Sequence, residues 1–300
     1  MAAFLAALRP AAARLALGRR IMSSTATSEP LILLEREGMF VASLAVTPFQ
    51  MNQYLVGCTK SGEAALVDSG DTHVQGWVDL AAEYGCTITH LLQTHAVCAL
   101  RGRSPPRAAV CSATVPLAHA PCSLCHLPAL PACRPVPAQH IDHVAGLAET
   151  KAALPDAPVY LHPEDLFLLK TVKAQGMMFG MGAVTTPAPP DVELQDAQRL
   201  AVGELSFQVL HTPGHCPGHV CFHCEAEGVL LAGDLLFAGS IGRTDFPGMG
   251  CSVPDMKASL RRVMQLPAET LVMAGHNEVT SIGAETASNP YLQPSFLDSA

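Results

Sequence analysis

Seven side chains able to hold metal ions fall into five short clusters along the chain. His95 follows Thr94, and His140, Asp142 and His143 form an H-x-D-H run. His215 closes His211-Thr212-Pro213-Gly214-His215, Asp234 closes Ala232-Gly233-Asp234, and His276 closes Ala274-Gly275-His276. Imidazole nitrogens and carboxylate oxygens suit Zn²⁺, Fe²⁺ or Mn²⁺, and no thiolate is needed among them. Divalent ions held this way make hydroxide available near neutral pH and polarise a carbonyl, which is hydrolytic chemistry. The other histidines read differently. His219, after Pro217-Gly218 at a strand start, supports a ligand rather than being one. His162 precedes Pro163-Glu164-Asp165, a helix-start signal. His73, His119, His126 and His223 have no ligand spacing.

Between His95 and His140 runs a stretch unlike its surroundings. Residues 97–139 hold eight prolines and five of the eleven cysteines, but no Asp, Glu, Lys, Asn, Phe, Tyr, Ile, Met or Trp. No helical or strand period runs through them. The composition is that of GC-rich, pyrimidine-rich nucleic acid read as codons. It opens on a valine, whose codons start GT, and closes on a glutamine, which CAG encodes; these are the borders of a spliceosomal intron. The reading is a translated intron of 43 codons. A disordered Pro-rich insertion and a small metal knuckle are the alternatives, and a lone Cys122-x-x-Cys125-His126 is a weak haem or zinc signal. Replacing a one-residue link by so long a loop costs roughly 3 kcal/mol in closure entropy. Removing it joins Thr94-His95-Ala96 to His140-Ile141-Asp142-His143, giving T-H-x-H-x-D-H. The six cysteines outside it read as small buried thiols.

These clusters need a frame. Apolar runs predict strands at 31–34, 40–45, 53–56, 64–67 and 88–93, with T-H-x-H-x-D-H directly after the last. A helix over 73–84 carries Val74, Trp77, Val78 and Ala81 on one face and stops at Gly85. A second helix over 144–153 follows the motif, then a strand at 159–161 and a helix opening at Pro163. Strands at 205–210, 220–224 and 229–232, a helix over 254–265 and a strand at 271–273 complete the set. Strands in two groups with helices between them predict a layered α/β domain.

T-H-x-H-x-D-H, H-T-P-G-H, A-G-D and A-G-H, in that order, resemble the metallo-β-lactamase superfamily. The resemblance covers nearly all of the chain from about residue 31 onward, apart from 97–139. It implies an α/β fold, the αβ/βα four-layer sandwich, in one domain over 31–292 interrupted by 97–139. It also implies two divalent ions, zinc by preference and iron or manganese as alternatives. His95, His140, His215 and Asp234 would hold one; Asp142, His143, His276 and Asp234 would hold the other, with Asp234 as the bridge. Asp142 and Asp234 are then catalytic as well as ligating, and a hydroxide shared by the ions is the nucleophile. Asp68, ending the strand at 64–67, is similar to the family's aspartate that supports the metals.

Gly242-Arg243-Thr244-Asp245-Phe246-Pro247, after Gly233-Asp234-Leu235-Leu236-Phe237, resembles the glyoxalase II-like, hydroxyacylglutathione hydrolase-like branch. So does the stretch 283–292 with Asn289-Pro290-Tyr291. The likeness implies hydrolysis of a small-molecule thioester, a glutathione conjugate such as S-lactoylglutathione, with Arg243 where a basic residue binds the glutathione moiety. Only 24 residues follow His276, so the expected relatives are single-domain hydrolases without a helical substrate domain. Asn277 stands where many relatives have Gly. A persulfide dioxygenase with one iron is the alternative; it shares the G-R-T-D-F run but typically has Cys where His219 stands and His-Asp where His276-Asn277 stands. An inactive product of intron retention is the other.

Residues 1–22 carry four arginines and no acidic residue, and Ser23, Ser24, Thr25 and Thr27 follow. This predicts a transit peptide, mitochondrial with a plastid as alternative, and a start at Met22 would yield a cytosolic form. Setting aside the four arginines there and the four in 97–139 leaves ten basic residues against 26 acidic. Such a surface repels phosphate backbones, so no nucleic-acid partner is expected. No apolar run is long enough to predict a membrane span.

Overall fold

Alternation along the strands decides the layering. In a computed structural model the described residues are 30–47, 49–96, 143–178, 184–246 and 248–299. The expected leader at 1–22, the stretch 97–139 and two expected ligands, His140 and Asp142, lie outside them.

The first half contains β1 (Leu31–Arg36), β2 (Met39–Val46), β3 (Met51–Cys58), β4 (Glu63–Val67), α1 (Val74–Glu83), β5 (Thr87–Leu92), α2 (Leu147–Ala153), β6 (Val159–Leu161), α3 (Leu166–Lys170), α4 (Val172–Met178) and β7 (Val192–Glu193). Its strands form one sheet in the order β1 to β7, antiparallel through β4 and parallel from β4 onward. The second half contains β8 (Arg199–Val202), β9 (Leu205–His211), β10 (Val220–Cys224), β11 (Val229–Gly233), β12 (Leu236–Phe237), β13 (Ser240–Ile241), α5 (Val253–Val263), β14 (Leu271–Ala274), β15 (Thr280–Ser281), α6 (Ile282–Ser288) and α7 (Pro294–Leu297). A second sheet runs β15-β14-β11-β10-β9-β8, and β12 and β13 form a small ribbon.

Side chains alternate across a strand. Met39 and Val41 of β2, Tyr54 and Val56 of β3, and Ala65 and Val67 of β4 therefore meet Phe207, Val209, Phe222 and Leu231 of the second sheet. Phe40, Ala42, Leu55 and Leu66 point the other way, onto Trp77 and Ala81 of α1, Leu147 of α2 and Leu168 of α3. On the far side Leu210, Cys221, Leu230 and Val272 pack against Met256, Leu260 and Val263 of α5. The result is helix, sheet, sheet, helix, the expected four-layer sandwich. Five of the six described cysteines are buried free thiols, as predicted.

The predicted elements recur with small shifts. The helix predicted over 144–153 begins only at Leu147. Ser69 holds the preceding backbone out of helical pairing, donating its N–H to the His143 carbonyl and accepting from Gly146 N. The helix predicted from Pro163 is a 3-10 turn, Pro163–Asp165, followed by α3 and α4. His162 caps that turn, its Nδ1 accepting from Glu164 N at 3.4 Å, as its place before Pro163 suggested. No helix among the described residues is long and apolar enough to cross a membrane.

Trp77, the chain's single tryptophan, is the largest fully buried side chain and seats α1 on the first sheet. Trp77→Ala is expected to cost about 3–5 kcal/mol of stability. Thermal unfolding followed by circular dichroism measures it, and an unchanged melting temperature would contradict this account of the packing.

Candidate metal centre

Four of the five described ligands sit past strand ends on one rim of the sandwich, and His143 lies just before α2. His95 follows β5 and His215 lies in the β9–β10 loop, while Asp234 follows β11 and His276 follows β14. The two sheets are stitched together at this rim. Asn52 N donates to the Gly275 carbonyl at 2.7 Å and Val220 N donates to Thr94 O at 2.9 Å, while within the second sheet Gly275 N donates to Gly233 O at 2.7 Å. A Cβ at Gly275 would lie 2.4 Å from Asp234 Oδ1 and 2.7 Å from His143 Cε1, so only glycine lets these ligands close.

The structure brings together His95, His143, His215, Asp234 and His276, the five expected ligands that it describes. Ring centres of His95 lie 4.1 Å from His143 and 5.0 Å from His215. Asp234 is the hub: Oδ1 is 3.3 Å from His143 Nε2, and Oδ2 is 3.8 Å from His215 Nε2 and 3.7 Å from His276 Nε2. His95, His143 and Asp234 each present a ligand atom within 4.8 Å of the others. The side chains of His95, His143, His215 and Asp234 are at most 1% exposed.

His95, His143 and His215 are each held by the nitrogen that faces away from Asp234. His143 Nδ1 donates to Asp68 Oδ2 at 2.8 Å. His215 Nδ1 donates to the Arg243 carbonyl at 2.8 Å. Thr94 Oγ1 gives its proton to Asp68 at 2.9 Å and so accepts from His95 Nδ1 at 2.8 Å. Asp68 also accepts Thr94 N at 2.8 Å, and it holds φ at 59°, a left-handed backbone that aspartate tolerates better than most side chains. The predicted supporting role of Asp68 is what the geometry shows. His219 likewise supports: its Nε2 accepts from Asp234 N at 3.0 Å and its Nδ1 donates to Thr212 Oγ1 at 2.9 Å. Burial, with His215 nearby, pushes His219 down to about 3, which keeps that acceptor free of a proton.

With their Nδ1 atoms spent, the Nε2 atoms of His95, His143 and His215 and both Asp234 oxygens are buried without a hydrogen-bond partner among the described residues. Buried polar atoms are nearly always satisfied, so five such atoms clustered around Asp234 fit bound cations. The electrostatics agree. Burial would lower His143, but Asp234 and Asp68 outweigh it and hold it well above the usual histidine range. Burial would raise Asp234, but His276, His143 and His215 hold it below the usual carboxylate range.

A second cluster, His162, Glu164 and His211, also gathers potential ligands. The His162 and His211 rings are stacked 4.1 Å apart at 13°, so their lone pairs run side by side rather than converging. His211 Nε2 is already committed to the Pro217 carbonyl at 2.7 Å. This cluster is a structural stack.

The sequence profile of the metallo-β-lactamase superfamily matches residues 139–276. A protein of Aquifex aeolicus without an assigned function is 46% identical over 153 residues, 51% of this chain and 71% of that one. The chain belongs to the metallo-β-lactamase superfamily. It is a metallo-hydrolase of that superfamily, with a His/Asp cluster suited to divalent metal. The hydroxyacylglutathione hydrolase GloC of Haemophilus influenzae is 33% identical over 154 residues, 51% of this chain and 72% of that one. The crystal structure of TTHA1623 in a di-iron-bound form superposes with a TM-score of 0.60 at 33% identity, covering 83% of this chain and 99% of that one.

Asp165, read in the sequence only as part of the helix-start signal Pro163-Glu164-Asp165, accepts from Ala96 N, Cys216 Sγ and Gly218 N beside His95 and His215, and nothing local in the sequence signals that. Asn277, which departs from the family's usual glycine, holds φ at 67°, a conformation glycine adopts freely and asparagine tolerates.

Because two histidines depend on Asp68, Asp68→Asn is expected to weaken metal binding by about 10–100-fold, since an amide cannot accept on both sides. Titration of metal into the metal-free protein checks this. Unchanged affinity would mean that the histidines hold their positions without it.

Proposed function

We propose that this protein is a metal-dependent thioester hydrolase whose substrates are glutathione thioesters such as S-lactoylglutathione. The observation that carries it is the setting of Arg243. Its carbonyl anchors the ligand His215, while its guanidinium is held by Asp245 through Nε at 2.7 Å and Nη2 at 2.8 Å. It also lies over the Phe246 ring at 4.4 Å, and that ring meets His215 edge-on at 5.8 Å. A cation fastened beside a metal ligand suits a substrate whose reacting carbonyl and carboxylates lie on one short chain, as in a glutathione conjugate. The resemblance of the loop to the glyoxalase II-like branch and the similarity to GloC support the same reading.

His95, His140, His215 and Asp234 would hold one ion and Asp142, His143, His276 and Asp234 the other, zinc by preference and iron as the alternative. Bound divalent metal supplies Lewis acidity toward the thioester carbonyl and an ionisable water near neutral pH. The protein's own part is positional. Asp68, Thr94 and the Arg243 carbonyl fix the histidine tautomers, and Phe237 and Phe246 wall the centre on two sides with ring contacts to His276 and His215.

Arg243→Ala is expected to raise KM for S-lactoylglutathione several-fold while metal content stays at the parent value, because it removes binding and no ligand. Asp234→Ala in the same assay should lose metal and activity together. An unchanged KM in Arg243→Ala would place the substrate elsewhere. One iron per chain with oxygen uptake on a glutathione persulfide would replace hydrolysis by dioxygenation.

We further propose that residues 97–139 are an insertion from translated intron. The superfamily profile begins at residue 139, and the described flanks converge, with the His95 and His143 rings 4.1 Å apart. A protein lacking 97–139 restores T-H-A-H-I-D-H and is expected to bind metal more tightly and turn over faster than the full chain, since metal need not meet the ordering cost. Metal analysis and thioester assays on both proteins decide it. A faster, fully loaded full-length form would make the segment functional.

A further inference from the structure

Asp165 occupies the N-cap position of α3 yet makes no cap hydrogen bond there. Its carboxylate is fully buried and turned toward the metal-ligand loops. Oδ1 accepts from Gly218 N at 2.7 Å, and Oδ2 accepts from Ala96 N at 2.9 Å and from Cys216 Sγ at 3.1 Å. Ala96 directly follows His95; Cys216 and Gly218 follow His215. One carboxylate therefore fastens the backbone just past two histidines that share an ion in the two-metal reading above. The other ligands hang on different residues: His143 on Asp68, and His276 on its bridge to Met51.

The chemistry of the contacts demands a carboxylate. Both oxygens face N–H or S–H donors, so an amide in this place would aim its own NH₂ at another donor. The fit is also tight, because a Cβ on Gly218 would lie 2.7 Å from Asp165 Cγ and Oδ1. Asp165 thus fastens the backbone past His95 and His215, while Asp68 receives His143 directly and His95 through Thr94.

We propose that Asp165 is the positioning residue for one metal position: it sets the spacing of His95 and His215 and governs occupancy there, leaving the position of His143 and His276 intact. The proposal rests on the two-metal reading, through the assignment of His95 and His215 to one ion.

The test uses the full-length protein loaded with cobalt(II), read by metal content and visible absorption. His95→Ala marks loss of the first position and His276→Ala loss of the second. Asp165→Asn is expected to lower affinity at the first position about 10–100-fold, leaving a spectrum like that of His95→Ala. Gly218→Ala, which displaces the carboxylate by bulk, should do the same. Cys216→Ser keeps a donor toward Oδ2 and should bind cobalt like the parent. Parent-like content and spectrum in Asp165→Asn and Gly218→Ala would overturn the proposal, as would parallel loss of both ions with falling melting temperature. If Asp165→Asn does not fold, Gly218→Ala decides by the same two outcomes. If His95→Ala and His276→Ala do not each remove one ion, the two-metal reading itself has failed and the proposal falls with it.

Discussion

The Asp68 carboxylate is the interaction on which the metal centre depends. It stands at the end of β4 in a left-handed backbone conformation and receives Thr94 N, Thr94 Oγ1 and His143 Nδ1. Through the threonine hydroxyl it also orients His95. A buried carboxylate is costly unless hydrogen-bonded donors surround it, and here those donors are the residues whose tautomers must be set. Strain of this kind persists where the surrounding structure over-determines it, and it clusters at functional sites.

The ligands of the two halves converge only because the two sheets are fastened to each other at this rim. Asp68 and Thr94 belong to the first sheet's rim, while Asp234, Gly275 and His276 belong to the second's. The Tyr54 hydroxyl donates to the Ala274 carbonyl at 2.6 Å, and Asn52 Nδ2 donates to the same carbonyl at 3.1 Å. Behind them lies the inter-sheet core of Met39, Val41, Val56, Phe207, Val209 and Phe222. Apolar burial supplies the force that brings the sheets together, and the rim bonds convert that non-directional force into a fixed ligand geometry.

The ligand atoms are buried, which strengthens every charge interaction among them. The histidines and Asp234 are almost wholly buried, and aromatic edges from Phe237 and Phe246 border them. Outside residues 1–22 and 97–139 the chain is strongly acidic, so the cation at Arg243, pinned by Asp245, is a local exception beside the centre.

The ligand types and their order were legible from residues alone, because imidazoles and carboxylates beside small residues at strand ends are local facts. The strands from β1 to β5 and from β9 to β11 were legible too, since their apolar runs are long enough to show a period. The short elements were not. β7, β12, β13 and β15 are two-residue strands set by their partners, and the start of α2 was moved by bonds to Ser69, distant in sequence. Asp165 shows the difference most clearly. Its neighbours place it in a helix-start signal, and only the tertiary fold, by placing Ala96 and Gly218 against its carboxylate, brings it beside the ligands. What the sequence by itself determined is which atoms can bind metal. Which of their nitrogens face inward was decided by hydrogen bonds between residues far apart in the chain, and no local pattern encodes those.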